Sequence, residues 1–487
     1  MVNPVIVKLL AVGAVTFGLS LALMRIGGVV DDRMQHQREA QRSVEASLAG
    51  RQAVLGPVLH RSCVEEWDTV GGYGRDFSRT TDRREFRLVL PPSTLKIEGD
   101  VAIDPRQRGL FSVNTFATKA TLRAHWDAVT PLVAKREHAG SRLTCGAPVL
   151  MVALSDARGV RDAKLRVDGA ALPVRPGTEH AGYPRGMHAV LPVDKVDGQV
   201  QVTQAAQGTQ ALDAELTLEL VGTAELAIAP AAGSVQATLR SDWPHPSFGG
   251  RFLPAERSVR VNGFEAQWRV SALASSAARE VVAGAALCEP SPVLAMGYAS
   301  GEETPHAVAA GAAKGCIETF GVAFIDPVNP YSLSDRSIKY GLLFILLTFA
   351  AVGATEVLRG QVRVHPIQYA LVGAALTLFF LLLLSLSEHM SFAAAYAGAS
   401  AACVLLLGYY ASHALGGWRV GTGFAAGITM LYAVLYALLQ LERTALVMGS
   451  LLLFAVLATL MAVTRKVDWY ALLQRAPRGA AATQAGA

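Results

Sequence analysis

Five long apolar segments that follow one another in the last third of the chain constrain the fold more than any other feature. They cover residues 340–357, 367–386, 391–411, 424–441 and 444–463. Each is close to the roughly 20 residues with which a helix crosses the hydrocarbon core of a bilayer. Helices of a soluble bundle would carry polar faces, which these segments almost entirely lack. The sequence therefore predicts a five-helix transmembrane bundle in residues 336–470.

A sixth apolar segment lies near the start of the chain. It begins after Lys8, passes Arg25 and continues to residue 30, which is long enough to span a membrane. A cleaved signal peptide is the alternative, but Arg25 stands where a small-residue cleavage site would be expected. We therefore predict a transmembrane anchor in residues 1–30. The polar segment that follows indicates a helical stalk in residues 31–50, because residues 31–48 contain neither Gly nor Pro.

Basic residues in the short segments between the apolar runs predict the orientation, since cytoplasmic loops carry an excess of Lys and Arg. One set of segments contains eight of them: Lys8, Arg359, Arg363, Arg419, Arg465, Lys466, Arg475 and Arg478. The opposite short loops contain Arg443 alone. Both termini are therefore expected in the cytoplasm and residues 31–335 outside. Residues 471–487 are rich in Ala and Gly, which predicts a disordered cytoplasmic tail.

The overall composition agrees with a chain of two different parts. Charged residues make up 17% of the 487 residues, below the roughly 25% of a soluble domain. The mean hydropathy of +0.33 is nevertheless too low for a chain made only of membrane spans. A net charge of +5 over this length is mild, so nucleic acid is not an expected partner. The apolar segments make the bilayer an expected partner.

The external segment has the period-two pattern of half-buried strands. Leu216, Leu218 and Leu220 alternate with polar residues, and further segments around residues 86–90, 235–239 and 264–270 do the same. Turn-forming pairs separate them: Asp168-Gly169, Asp197-Gly198 and Asn262-Gly263. The sequence predicts a β-rich domain in residues 51–335, antiparallel and sandwich-like. Ser155, Asp156, Arg158 and Gly159 are interpreted as a turn between two of its strands.

Four of the five cysteines lie in the external segment: Cys63, Cys145, Cys288 and Cys316. An even number in an oxidising compartment indicates two disulfides, and four cysteines allow three connectivities. The short separation favours pairing Cys288 with Cys316, which leaves Cys63 with Cys145. A zinc site is the alternative, but the spacings contain no CxxC pair.

The predicted topology brings a set of polar residues to the outer boundary of the membrane. They are Asp335, Arg336, Lys339, Ser385, Ser387, Glu388, His389, Gln440, Glu442 and Arg443. Ionisable groups near hydrocarbon are costly unless they are paired or hydrated. The simpler interpretation is a set of solvated loop residues. The functional hypothesis is that this set docks the β-rich domain or forms a small external pocket.

Motifs for catalysis are not recognisable in the sequence. It contains no GxSxG, HExxH, Walker or Rossmann pattern, so we predict no enzyme, cofactor or metal. Trp243, His245 and Phe248 belong to a Pro-rich segment that is interpreted as a packed structural loop, although His245 could bind a metal or titrate.

Glu356 lies near Arg359 at the inner edge and is expected to pair there. The alternatives are a small-molecule or lipid transporter, which should have a polar path through the bundle, and a periplasmic enzyme that acts on envelope polymer.

Several short motifs together resemble the CreD family of bacterial inner-membrane proteins. They lie around Gly56-Pro57, in Arg106–Gly109 and Ser155–Gly159, in Trp243–Phe248, Tyr331–Phe344, His365–Tyr369, Leu384–His389 and Gly449–Phe454, and at Val467–Tyr470. The resemblance spans nearly the whole chain and implies that the external segment is periplasmic. It also implies a role in envelope integrity, colicin tolerance and β-lactam responses, as part of the CreBC regulon and its stress response. The family carries no established enzymatic activity, and the partner it implies is an unknown envelope protein or envelope component. The four external cysteines are not a feature that the resemblance supplies.

Overall fold

A computed structural model describes residues 4–71, 78–196, 199–202, 211–290, 315–326, 329–359, 364–414, 417–440 and 445–465. The chain divides into two compact units. One contains Met1–Gln37 and Val328–Ala487, and the other contains Arg38–Pro327. The first unit is helical and the second is built mainly of strands. The expected tail at 471–487 lies outside the described residues, as do Glu442 and Arg443.

In the described residues the helices are α1 (Pro4–Ser47), α2 (Ala277–Val282), α3 (Pro330–Lys339), α4 (Gly341–Arg359), α5 (Pro366–Ser387), α6 (Phe392–Ala414), α7 (Trp418–Gln440) and α8 (Ala445–Thr464). Helix α1 continues without a break from its apolar half into the polar segment, so it belongs to both units. Helix α2 lies in the strand-rich unit.

Local sequence signals account for where the membrane helices begin. His365 precedes α5, and its ring accepts the backbone N–H of Ile367 while the Gln368 side chain accepts the N–H of His365. Pro366 occupies the first helical position, where the missing N–H costs nothing. Asn329 caps α3 in a similar way by accepting the N–H of Tyr331. These caps satisfy donors that the helices leave unpaired.

Four described helices are long and apolar enough to cross a membrane, namely α1, α5, α6 and α7. Helices α3 and α4 are bent by 44° and supply a fifth crossing if the pair is one span. In α8 the apolar stretch Gly449–Thr459 is shorter. The protein is therefore a membrane protein with four to five candidate spans among its described residues.

The apolar half of α1 packs into the helical unit at two glycines. A side chain at Gly341 would meet Leu23 at about 3.0 Å, and one at Gly373 would collide with Leu19. Leu23 and Ile26 share one buried cluster with residues of α4 to α7. Glycine lets two helices approach closely, which is how such packing arises between apolar helices.

The strands in the described residues are β1 (Gln52–Gly71), β2 (Ser78–Leu90), β3 (Thr94–Arg108), β4 (Phe111–Trp126), β5 (Arg142–Cys145), β6 (Val149–Leu154), β7 (Val160–Val167), β8 (Ala170–Leu172), β9 (Arg175–Pro176), β10 (Gly186–Val190), β11 (Val193–Val196), β12 (Gln199–Val202), β13 (Leu212–Thr223), β14 (Glu225–Ala229), β15 (Ser234–Ser241), β16 (Ser247–Gly250), β17 (Glu256–Arg260), β18 (Gly263–Ser271) and β19 (Phe320–Ala323).

These strands form two large sheets and a small hairpin. In the described part of the chain, one sheet runs β16-β19-β14-β1-β6-β10-β9, with β2 and β5 also paired to β1. The other runs β17-β18-β15-β3-β4-β13-β7-β8, and β11 pairs with β12. One apolar core contains side chains of both sheets, among them Leu59, Leu216, Trp268 and Phe320. The alternating side chains predicted from residues 216–220, 235–239 and 264–270 supply much of this core.

The expectation of purely antiparallel sheets is wrong at two places. Strand β14 pairs in parallel with β1, and β15 pairs in parallel with β3. The chain changes sheet after β13 and again after β14. Each crossover places a strand beside a partner that is distant in sequence, so no hairpin turn dictates its direction.

The turns follow the predicted residues with one shift. Asp168 and Gly169 both have positive φ and join β7 to β8 as a two-residue hairpin loop. At the predicted turn Asn262-Gly263, Arg260 pairs with Gly263, so the two loop residues are Val261 and Asn262. Gly263 instead begins β18 with φ of 132°. The pair Asp197-Gly198 lies outside the described residues.

Candidate functional site

The predicted outer-boundary residues separate into different environments. Glu388 ends α5 with a side chain only 10% exposed, and its Oε1 lies 3.4 Å from Nε of Arg33. Asp335 pairs with Lys339 along α3 at 2.9 Å. Ser387 donates to the carbonyl of Leu384. Ser385, His389 and Gln440 are exposed, and Arg336 is half-buried.

Arg33 was absent from the sequence prediction, yet it provides the ionic partner of Glu388. Gln37 lies one turn further along α1, and its Oε1 accepts a hydrogen bond from Nδ2 of Asn329 at 3.1 Å. The Tyr331 hydroxyl also hydrogen-bonds Glu388. One face of α1 is thus joined to the end of α5 and to the start of α3. The sequence of a polar helix does not reveal which of its residues contact other helices, so this face of α1 could be identified only from the structure.

A second ionic contact lies towards the other end of α1. Nζ of Lys8 lies 2.5 Å from Glu356 on α4, and the Tyr369 hydroxyl donates to the same carboxylate at 3.3 Å. Among the described side chains, therefore, the partners of Glu356 are Lys8 and Tyr369. The 25 residues from Lys8 to Arg33 span about 37 Å of helix, slightly more than the roughly 30 Å hydrocarbon core. Each charged pair can therefore lie near one boundary of the membrane.

The four external cysteines form two disulfides. Cys63 on β1 faces Cys145 on β5 in register and bonds to it. Cys288 bonds to Cys316, the pairing that their short separation favoured. The remaining cysteine, Cys403, is free and buried in α6.

The segment around His245 is built as a structural loop. Nε1 of Trp243 donates to the His245 carbonyl at 2.8 Å, and the His245 side chain is exposed. The Phe248 ring packs edge-on against Phe264 and Trp268, with centroids 5.4 and 5.7 Å away. The loop joins β15 in one sheet to β16 in the other. In the described residues no group of three or more His, Cys, Asp or Glu is arranged to hold a metal.

Asp156 and Arg158 have a larger part than the turn expected from sequence. Oδ2 of Asp156 accepts the N–H of Gly50 at 2.9 Å, and Arg158 donates to both Asp156 oxygens. Arg158 also donates to the carbonyls of Ala46 at 2.6 Å and Glu45 at 3.2 Å. These are carbonyls of the last turn of α1, which favour a cation. Burial opposes ionisation of Asp156, but these donors hold its pKa down at about 2.

The residues just before β1 and just after β19 both contact one turn, at residues 223–224. Thr223 donates through its N–H to Gly50 and through its hydroxyl to Ala49. Ala224, with φ of 59°, accepts the N–H of Phe324, shortly before the chain leaves this unit. We call Asp156, Arg158 and Thr223 the helix seat, because they hold the end of α1. The sequence signal for this contact was Arg158, because a basic side chain can donate to the free carbonyls at the C-terminus of a helix.

A buried ion pair lies next to the helix seat. Arg51 and Glu225 approach to 3.6 Å, and both side chains are largely buried. Burial raises the pKa of Glu225 to about 7, although Arg51 acts in the opposite direction. Gln52, which is fully buried, donates to the carbonyls of Asp156 and Val221. The region around the start of β1 is therefore polar, and within the described residues Nη1 of Arg51, Oε1 of Gln52 and Oε2 of Glu225 are buried without a hydrogen-bond partner.

The structure defines a class of protein: a multi-pass membrane protein with several apolar helices and a large β-rich domain. The sequence model of the family described as Inner membrane protein CreD matches residues 4–470. Over 471 residues the chain is 31% identical to Inner membrane protein CreD of Escherichia coli (strain K12), covering 96% of this chain and 94% of that protein. The chain belongs to the CreD family of inner membrane proteins, which confirms the resemblance found in the sequence. The relative is described as a membrane protein, not as an enzyme.

Proposed function

We propose that this protein crosses the inner membrane six times, with both termini in the cytoplasm and residues 31–335 in the periplasm. The excess of basic residues on one side, eight against one, supports this orientation. The two disulfides lie in the segment assigned to the oxidising compartment. Six crossings require the bent pair α3 and α4 to act as one span and α8 to complete the set.

We further propose a non-enzymatic role in which the protein supports envelope integrity by presenting its β-rich domain to an envelope protein or envelope component. The helix seat carries this proposal. Arg158 binds the last turn of α1, and Thr223 binds the residues that follow. These hydrogen bonds join the residues before β1 to the strands, so the domain is suited to being presented as a single folded body.

The topology can be tested with alkaline phosphatase, which is active only after export. A fusion after Gly315 should be active, and a fusion after Arg465 should be inactive. Both fusion proteins must be present at similar levels in the membrane fraction. The reverse pattern of activity would contradict the proposed orientation.

The role can be tested by weakening the helix seat. Cells that carry R158A should lose resistance to detergent and β-lactam stress, while the protein still reaches the membrane. The matched control is K164A, because Lys164 also forms an ion pair on β7, with Asp162, but lies on the exposed face. Crosslinking from the β-rich domain followed by mass spectrometry should recover an envelope component. Recovery of this protein alone, or equal phenotypes of R158A and K164A, would contradict the proposal.

A further inference from the structure

A groove of about 620 Å³ lies on the outer face of the eight-stranded sheet, away from the core that the two sheets share. Its volume falls within the range of about 300–1,000 Å³ that is typical of small-ligand sites. It crosses β15, β3, β4, β13 and β7, so its length runs perpendicular to the strands. All its lining residues belong to the strand-rich unit.

The floor of the groove is apolar and shallow because three short side chains lie in a row. Ala102 on β3 is in register with Ala117 on β4, which is in register with Val221 on β13. The two alanines are exposed among longer neighbours. A depression therefore runs across three adjacent strands, and it can accept side chains of small size.

One wall is a row of charges that alternate in sign. Asp100, Lys119 and Glu219 occupy register positions on β3, β4 and β13, two residues along from the floor. Lys119 pairs with Glu219 at 3.5 Å. Asp100 forms no ion pair with any residue that the structure describes. Asp100 lies in register between Lys119 and Arg240, and Arg240 also lines the groove but pairs with Glu265 at 3.5 Å. Within the described residues, the wall therefore contributes the carboxylate of Asp100, which has no cation within ion-pair distance.

The two ends of the groove differ in charge. Arg240, Asp242 and Asn262 lie at the β15 end, where Glu265 pairs with Arg240 at 3.5 Å and Asp242 accepts the backbone N–H of Ile103 at 3.1 Å. Arg161 lies at the β7 end, at a register shift between β7 and β13 that makes it the extra residue of a bulge. Bulges re-aim side chains, and this one contributes Arg161 to the groove. Among the described residues, Arg161 has no hydrogen-bond or ion-pair partner.

The spacing of these ends fixes the size of a matching ligand. Four strand intervals of about 4.8 Å separate β15 from β7, so the ends lie about 19 Å apart. An extended peptide advances about 3.4 Å per residue, which gives about five residues for this span. An ammonium group would be attracted to the end that contains Asp100 and Asp242, and a carboxylate to Arg161.

We propose that this groove binds a short peptide of four or five residues with free termini and small side chains. The α-ammonium group lies beside Asp100 and Asp242, the carboxylate lies beside Arg161, and the small side chains rest on Ala102 and Ala117. The proposal does not depend on the membrane topology or on the helix seat.

Binding of pentaalanine to the purified full-length protein in detergent tests the proposal by calorimetry. The unmodified peptide should bind saturably below about 10 mM, the limit of a weak but measurable site. N-acetylated and C-amidated forms should each bind about fivefold more weakly, because each lacks one terminal charge. Absence of saturable binding, or equal binding of all three forms, would overturn the proposal.

Variants of the protein test whether Arg161 binds the C-terminal carboxylate of the peptide. R161A should weaken binding of unmodified pentaalanine about fivefold, and amidation should then have no further effect. R166A is the matched control, because Arg166 is exposed on the same strand but its guanidinium donates to the Gly169 carbonyl outside the groove. Thermal unfolding must show that both variants are folded. If R161A still distinguishes the free from the amidated peptide as the wild type does, the assigned site is wrong.

Discussion

At the scale of single residues, the most informative contacts are those of polar side chains buried in the strand-rich unit. Asp156, whose partner Arg158 is itself exposed, is one of them, and the histidines His60, His180 and His188 form another set. Nε2 of His60 hydrogen-bonds the Thr178 carbonyl, and Nδ1 of His188 hydrogen-bonds that of Gly177. Buried polar groups of this kind are costly to leave unpaired, so their substitution gives measurable effects.

Substitution of Asp156 should destabilise the strand-rich unit. D156A removes the acceptor of the Gly50 N–H and the carboxylate partner of the exposed Arg158, so we expect a loss of about 1–3 kcal/mol. Unfolding in urea can be followed by tryptophan fluorescence, since Trp126 and Trp268 are each only 1% exposed in this unit. D162N should change stability by less than about 1 kcal/mol, because its pair with Lys164 is exposed. Equal effects of the two variants would contradict the role of the helix seat.

His180 should make stability depend on pH below neutrality. Burial, together with the nearby charges of Arg87 and His60, lowers its pKa from 6.5 to about 4. Between these values the unfolded chain binds the proton and the folded protein does not, so the contribution of His180 to stability is complete above pH 6.5 and is lost as the pH falls towards 4. H180Q should reduce this loss by up to about 3 kcal/mol. The measurement is urea unfolding of the wild type and variant at pH 7.5 and 4.5.

Two controls separate His180 from other titrating groups. H245Q is the matched substitution of an exposed histidine, against which the effect of H180Q is compared. Glu225 acts in the opposite direction, because a carboxyl group whose folded pKa is raised to about 7 loses stability as the pH rises from 4.5. E225Q should therefore flatten the profile near neutrality. An H180Q profile that coincides with the wild type would exclude His180 as the source of the acid sensitivity.

At the scale of elements, α1 is distinguished by contacts along its whole length. Lys8 and Arg33 pair with Glu356 and Glu388, and Leu19 and Leu23 pack between these two pairs. Its polar end binds Arg158. A helix that is apolar in one half and polar in the other depends on such neighbours for its position, because helical propensity alone does not orient a helix.

Enlarging Gly373 should displace α1 from the helical unit. A side chain at this position collides with Leu19, so G373I should lower the thermal unfolding midpoint of the detergent-solubilised protein by several degrees. G427I is the matched control, because a side chain at Gly427 on α7 meets nothing within 4 Å among the described residues. The packing of α1 at Gly373 would be refuted if both variants melted at the same temperature.

At the scale of the whole molecule, the arrangement of the two sheets depends on contacts between distant parts of the sequence. Strand β1 pairs with β14 and β6, and β15 pairs with β3. The disulfide between Cys63 and Cys145 closes a separation of 82 residues, and that between Cys288 and Cys316 closes one of 28. Both crosslinks restrict the unfolded chain, and the longer loop loses more entropy.

Removal of the longer crosslink should therefore cost more stability. In the chain-entropy view, loss of Cys63–Cys145 costs about 4.5 kcal/mol and loss of Cys288–Cys316 about 3.6 kcal/mol. The double variants C63S/C145S and C288S/C316S can be compared by urea unfolding of the full-length protein. C403S is the control, because Cys403 forms no disulfide. Stability that is unaffected by C63S/C145S would contradict this contribution.

The sequence by itself determined the elements. Apolar length gave the membrane helices to within a few residues, as for α5 at Pro366–Ser387, and period-two alternation gave buried strands such as β13. These features are local, because they depend on how a segment meets lipid or covers one face of a core. For the same reason the family motif at Trp243 could be interpreted as a packed loop before its contacts were known.

Only the tertiary structure decided which elements meet. The parallel pairing of β14 with β1, the partner of Glu388 on α1, and the hold of Arg158 on Ala46 each join residues far apart in the sequence. The groove on the eight-stranded sheet also arises from register, because Ala102, Ala117 and Val221 form a row only when three strands are aligned. Local patterns carry no information about such alignment, since many pairings bury the same apolar faces.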